Sequence, residues 1–268
     1  MPKILFATDL DRTMIYSAKF LEDAVMDDIQ CIEHNEKGEI AYMLKESIAL
    51  KEELSQLLYL VPVTTRSRAL FERVTVFRDS EYAVIENGAI ILHHGEILEF
   101  WEREIENYLL KGDFVRKLKG ASDLLSKIRY TAEDSVRWIG NKFVMCKTDY
   151  PEKMGQLLSE LLDIDDFHYT IQGRKVYVIP KGITKENAVS FLKGLLKINH
   201  TFASGDGKLD LEMLLQADTA FVPSDAELLK DNGNTDHPGL TVSKYCSFHA
   251  TLDILKNVKE QTLLLLAE

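Results

Sequence analysis

Cysteine is scarce. Cys31, Cys146 and Cys246 are the three in 268 residues, and no two stand at a C-x-x-C spacing. That excludes a cysteine-clamped zinc ribbon and a disulfide framework. An odd number of scattered thiols in a chain without a leader fits the reducing cytoplasm. No leader is expected, because the N-terminus offers one lysine and a five-residue apolar run, too little for a signal peptide. Long hydrophobic runs are missing as well. The longest near the C-terminus, Leu263 to Ala267, is far short of the roughly 20 residues a membrane span needs, so no membrane partner is expected. Basic charge is in deficit: the net charge is −11, and no basic stripe offers a surface for nucleic acid. Low-complexity segments and internal repeats are absent. What remains is an ordinary globular composition, 46% hydrophobic and 28% charged, in a chain long for one core and comfortable for two lobes.

Apolar runs bounded by polar clusters set the architecture. Lys3 to Thr8 reads as a buried strand, and Ser47 to Leu58 carries helical spacing at Ile48, Leu50, Leu54, Leu57 and Leu58. Further strand-like runs lie at Tyr59 to Val63, Tyr82 to Ile85, Thr201 to Ala203 and Thr219 to Val222. Helical patterns at Ser67 to Val76, Lys185 to Lys197 and Leu209 to Gln216 separate them. Alternating strands and helices predict a parallel sheet with right-handed crossovers, formed by residues 1–88 and 181–268. The middle differs. Three hairpins are expected, around His93-His94-Gly95, Gly140-Asn141 and Gln172-Gly173, with helical stretches at Glu102 to Lys119, Ala121 to Ile128 and Pro151 to Leu162. This predicts a separate α+β lobe inserted over residues 89–180. As neighbours on a hairpin tip, His93 and His94 are read as facing opposite ways and exposed. A second, smaller insertion, Asp28 to Met43, reads equally as a hairpin flap or an exposed loop.

The polar residues collect at the strand ends, where open parallel sheets bind ligands. The first strand ends on Asp9 and Asp11, the second on Thr64 and Arg66, the third on Asn87, and the fourth on Asp206 and Asp210; Lys185 opens the helix after the inserted lobe. Carboxylates gathered at one edge repel unless a cation joins them, and hard oxygen ligands suit Mg²⁺. A hydroxyl and an ammonium beside that cation make a half-site for a tetrahedral anion, the layout of phosphoryl transfer. A free aspartate there can attack phosphorus, and a second can move the proton of the leaving oxygen. Strand side chains alternate, so the strand must break between Asp9 and Asp11 for both to reach one centre. Bland readings stand beside these: turn or cap aspartates, a strand-end threonine, and Lys181 in place of Lys185 as the amine.

Taken in order, these residues resemble the haloacid dehalogenase superfamily of phosphatases, in its subclass IIB branch of Cof-type and sucrose-phosphate phosphatases. The D-x-D-x-[TV] motif is matched by Asp9-Leu10-Asp11-Arg12-Thr13, the strand-end threonine by Thr64, the lysine motif by P-K-G-I-T-K with Lys185, and G-D-x-x-N-D by Gly205 to Asp210. Glu86-Asn87-Gly88-Ala89 is also similar to this branch. The resemblance implies a Rossmann-like parallel-sheet core with an inserted C2-type cap. It implies Mg²⁺-dependent hydrolysis of a small phosphorylated metabolite, a sugar phosphate, through an aspartyl-phosphate. Asp9, Asp11, Thr64 and Lys185 would be catalytic, and Thr65, Arg66, Asn87 and Gly88 would contact substrate. The metal would sit on Asp9, the Asp11 main-chain carbonyl and Asp206, with Asp210 behind it. Two positions depart from the pattern: Leu209 replaces the usual asparagine, and Thr65 the usual glycine. A phosphomutase and a silent phosphate-binding regulator remain alternatives on the same scaffold.

Overall fold

A computed structural model describes residues 2–23, 25–162, 165–230 and 239–267. It divides into two units: residues 1–98 with 185–268, and residues 99–184.

The first unit opens with β1 (Ile4–Thr8), every residue of which is buried. A strand covered on both faces reads as an unbroken apolar run, and Ile-Leu-Phe-Ala-Thr has that form. Next come β2 (Tyr16–Ser17), β3 (Ile29–Asn35) and β4 (Gly38–Leu44), which form a three-stranded sheet in the order β2-β4-β3. The small insertion is therefore a hairpin. Ile32, Ala41 and Met43 bury it in the main core, and the Ile32 carbonyl accepts both the N–H and the hydroxyl of Thr75, at 2.9 and 3.1 Å. Then follow α1 (Lys45–Ser55), β5 (Tyr59–Pro62), the one-turn α2 (Arg68–Phe71), β6 (Tyr82–Ile85), β7 (Ile90–His93) and β8 (Glu96–Ile97).

Three expectations change here. The helix predicted over Ser67 to Val76 shrinks to α2, because β-branched Val74, Thr75 and Val76 disfavour its continuation. Tyr82 to Ile85 does not extend the parallel ladder. It pairs antiparallel with β7, and a single parallel bridge, Val63 to Val84, ties it to the chain after β5. The hairpin at His93 to Gly95 thus belongs to the first unit, so the units part at Leu98 and Thr184 rather than at 88 and 180. His93 and His94 also do not face apart. His94 takes a left-handed φ of 49°, which brings the two rings to 4.5 Å, while His93 stacks on Tyr82.

The second unit contains α3 (Glu99–Lys111), α4 (Phe114–Lys127), β9 (Arg137–Ile139), β10 (Phe143–Lys147), α5 (Pro151–Leu161), β11 (Phe167–Gln172) and β12 (Lys175–Pro180). Its four strands make an antiparallel sheet in the order β11-β12-β10-β9. Gly140 and Asn141, both at positive φ, turn the β9–β10 hairpin, and the Lys142 N–H closes on the Ile139 carbonyl at 2.9 Å. The helices bury the stripes Trp101, Ile105, Leu109 and Phe114, Leu118, Ala121, Leu125.

The chain re-enters the first unit with α6 (Lys185–Leu196), β13 (His200–Ser204), α7 (Leu211–Leu215), β14 (Thr219–Val222), β15 (Leu240–Val242) and α8 (Ser247–Ala267). The parallel sheet has the order β15-β14-β13-β1-β5, so β1 is internal, flanked by β13 and β5. Phe6, Phe202 and Phe221 pack in one core with Leu54, Ile254 and Leu255 of α1 and α8. Burying each such aromatic stabilises by about 1.5–3 kcal/mol. No helix among the described residues is long and apolar enough to cross a membrane.

Candidate active site

Asp9 is the first residue past β1. Its N–H still reaches the Ser204 carbonyl, at 2.8 Å, and its side chain is buried. The strand then breaks. The Leu10 carbonyl accepts the N–H groups of Thr13, Met14 and Ile15, and Arg12 adopts a left-handed φ of 65°. This is the break that two aspartates one residue apart require. One strand over, Val63 donates to the Thr8 carbonyl at 2.7 Å and Thr64 to the Val84 carbonyl at 2.8 Å. Thr64 is buried, and its hydroxyl accepts the Arg66 N–H at 3.2 Å. Its carbonyl accepts the N–H of Asn87 at 3.0 Å. Glu86, Asn87 and Gly88 all have positive φ, a tight corner that Asn and Gly tolerate and that brings backbone close to the strand ends.

Lys185, the first residue of α6, is 2% exposed. Its Nζ lies 2.5 Å from Asp9 Oδ1 and 2.6 Å from Asp210 Oδ1. The second oxygen of Asp210 accepts the N–H groups of Asp206 and Gly207, at 3.1 and 2.8 Å. Only glycine fits at 205: a Cβ there would stand 2.5 Å from that of Asp210. Asp206 is buried too, with Arg12 Nε 3.5 Å from its carboxylate. Carboxylate oxygens of Asp9, Asp206 and Asp210 fall within 4.8 Å of one another.

Of the residues singled out in the sequence, Asp9, Lys185, Asp206 and Asp210 thus share one buried cluster, and Thr64 closes the strand beside β1. Lys181 is exposed and lies in the second unit. Asp11 and Arg66 are drawn together: Arg66 Nε and Nη2 each donate to a different Asp11 oxygen at 2.8 Å, and Nη1 donates to Glu33 Oε2 at 2.8 Å. Nη1 also donates to the Leu70 carbonyl at 3.4 Å, so the guanidinium is directed at protein acceptors. Thr65 is half-buried next to it. Two charged residues escaped the sequence reading. Arg12 stands inside the D-x-D-x-T motif and reaches Asp206, Asp225 and Glu227; its place in the motif was the available signal. Glu33 had none, since nothing local marks a glutamate in a hairpin as buried.

The electrostatics point to a cation. Burial pushes the Asp9 carboxyl up to about 7 despite Lys185, with Asp210 and Asp11 adding to the rise. Burial, Asp9 and Asp210 push Asp206 up to about 8. Burial opposes the Lys185 charge, but Asp210 and Asp9 overcome it and hold its pKa above the ordinary lysine value. Of the three buried carboxylates, Asp9 and Asp210 share one ammonium and Asp206 has the Arg12 guanidinium at 3.5 Å, and the ligand atoms they offer are hard oxygens. That set fits Mg²⁺. A stability prediction follows. Without metal, the folded chain holds protons on Asp9 and Asp206 to about pH 7 and 8, while the ordinary aspartate value is 3.8. The unfolded chain therefore binds fewer protons across that window, and stability falls as pH rises from about 4 to about 8. Melting in chelator and in Mg²⁺ at pH 5 and pH 8 should show the larger metal-induced rise at pH 8. An equal or smaller rise there would count against this ligand set.

A parallel α/β sheet carrying an α+β insertion, with a buried aspartate–lysine cluster at its carboxyl edge, defines a two-unit enzyme-like α/β protein. The sequence is similar to the haloacid dehalogenase-like hydrolases: the family model of that description matches residues 108–227, a stretch that includes Lys185, Asp206 and Asp210. In fold the chain is similar to the sucrose-phosphatase of Synechocystis sp. PCC6803, solved with sucrose and phosphate. The two share 17% identity and a TM-score of 0.67, over 97% of this chain and 99% of that one. A Thermoplasma acidophilum protein is similar at 17% identity and TM-score 0.62, over 97% and 99%. A subclass IIB sugar phosphatase of the superfamily is similar at 14% identity and TM-score 0.60, over 96% and 98%. No curated protein matches the sequence.

Proposed function

We propose that the protein is a Mg²⁺-dependent phosphatase that hydrolyses a small phosphorylated metabolite, a sugar phosphate, through an aspartyl-phosphate on Asp9. The observation that carries this is the Lys185 ammonium held between Asp9 and Asp210 in a buried site that Asp206 completes. The sugar-phosphate preference is supported by the sucrose-phosphatase and the sugar phosphatase among the fold relatives.

Asp9, Asp206 and the Asp11 main-chain carbonyl would hold the metal. When bound, it neutralises charge on the phosphoryl oxygens and keeps the buried carboxylates ionised. The chain's own groups do the rest. An oxygen of Asp9 attacks phosphorus in line, the P–O bond to the alcohol breaks, and Asp11 delivers a proton to the departing oxygen. Asp11 then takes a proton from water, which attacks the acyl phosphate, releases phosphate and restores Asp9. Lys185 and the Thr64 hydroxyl bind the phosphoryl oxygens, aided by the N-terminal field of α6, while Asp210 orients Lys185. Thr65, Asn87 and Gly88 would contact the substrate at the strand ends. The inserted unit supplies the discrimination between leaving groups, an assignment that rests on the chemistry lying wholly in residues 1–98 and 185–268.

Phosphate release from p-nitrophenyl phosphate and a panel of sugar phosphates tests this, with and without Mg²⁺. Metal-dependent release is expected. No release from any ester would sink the reading, and return of the phosphoryl group to the sugar would redirect it to a mutase.

A further inference from the structure

The β3–β4 hairpin contributes a buried charge with no part in the mechanism so far. Glu33 is 2% exposed. It sits at irregularities in the β3–β4 register, between Cys31 and Glu33 and between Glu33 and His34. A bulge of this kind re-aims a side chain. Its carboxylate receives Arg66 Nη1 at 2.8 Å and lies 3.7 Å from Arg73 Nε. The far side of the same Arg66 guanidinium grips both oxygens of Asp11. Asp11 is 52% exposed. A two-pronged arginine pair fixes orientation as well as distance, and the planar fork is itself fixed only if its other corner is anchored.

We propose that Glu33 is a positioning residue: it anchors Arg66, and Arg66 sets the direction in which Asp11 presents its carboxylate to the leaving group. This rests on the phosphatase reading above. It also changes the part expected of Arg66, from contact with substrate to control of Asp11. The hairpin inserted between the first strand and the first helix then has a catalytic reason to be where it is.

The test separates this role from general support of the fold. Protonation by Asp11 matters for an alkyl phosphate, whose alkoxide is a poor leaving group, and much less for p-nitrophenyl phosphate. The ratio of kcat/KM for the two esters therefore reads the placement of Asp11 during bond cleavage. Glu33→Ala should lower that ratio by about 10- to 100-fold, the scale of a misplacement near 1 Å. Arg66→Lys should do the same, and Glu33→Gln, which keeps an acceptor, should recover part of it. Equal losses on both esters, or an unchanged ratio, would overturn the proposal. A wild-type protein that cleaves neither ester points instead to failure of the phosphatase reading. The linkage is then decided by melting temperatures of E33Q, D11N and the double variant: shifts that fall short of additivity support the Arg66 bridge, and additive shifts overturn it.

Discussion

Asp9→Asn is expected to lower turnover by on the order of 10⁴-fold or more, yet to leave the protein folded with a melting temperature in chelator no lower than that of the parent. The two halves of this result have one cause. An amide cannot act as the nucleophile, so no acyl phosphate forms. The native carboxylate, however, is costly to the fold: it is buried beside Asp210 and Asp206, and burial already pushes its pKa up to about 7. Removing its charge relieves that cost, and Lys185 keeps Asp210 at 2.6 Å. The variant should also gain less stability from Mg²⁺ than the parent does, because one ligand is neutral. Steady-state hydrolysis and thermal melts with and without metal measure both halves. Near-normal turnover would remove Asp9 from the nucleophile's role.

Lys185→Met should be damaging on both counts. Methionine fills similar space, but it leaves the Asp9 and Asp210 carboxylates facing each other without an ammonium. Breaking a buried ion pair from one side costs about 3–5 kcal/mol. In chelator that loss should be greatest at high pH and ease as pH falls, because protonating the carboxylates removes their repulsion. Turnover should fall by about 10²–10³, the range for losing one preorganised charge on a developing oxyanion. Lys181→Met is the contrast. That residue is exposed and outside the cluster, so its variant should stay close to the parent in urea melts and in rate. The opposite ranking would move the catalytic amine to Lys181.

Those residues were legible because their chemistry is tied to chain position. An aspartate directly after a buried strand, a threonine ending the next strand, a lysine opening a helix and a G-D turn each leave a local mark, and the fold brings Asp9, Lys185, Asp206 and Asp210 together. The alternation of strands and helices was legible for the same reason. Pairing was not. Tyr82 to Ile85 is apolar throughout, which reports burial but not the neighbour, and its neighbour is the antiparallel β7. β15 is three residues, Leu-Thr-Val, two of them exposed, too short for any periodicity to emerge. Within α8 only the apolar run Leu263 to Ala267 stands out in the sequence, although the buried residues of the helix run from Ser247 to Thr262. Arg66 was read by its place in the motif, as a substrate contact. Its actual partners, Asp11 and Glu33, are 55 and 33 residues away, and charge complementarity at such separations has no local pattern.

The internal position of β1 bears on how the molecule assembles. Asp9 ends a strand whose two edges are closed by segments far apart in the chain: β5 lies nearby, but β13 pairs Ile4 with His200 and Thr8 with Ser204. Parallel pairing across such a distance must meet a large loop-closure entropy before any ladder is formed, which makes it slow. At about 5–20 residues per second, the ribosome needs roughly 10–40 s to deliver the closing strand. Through that interval Phe6 and its neighbours have one open edge. Among the described residues, the strands of the second unit, β9 to β12, pair only with one another, and all have been made by then. The inserted unit can therefore reach its native sheet first, while the strand that leads into Asp9 waits for β13.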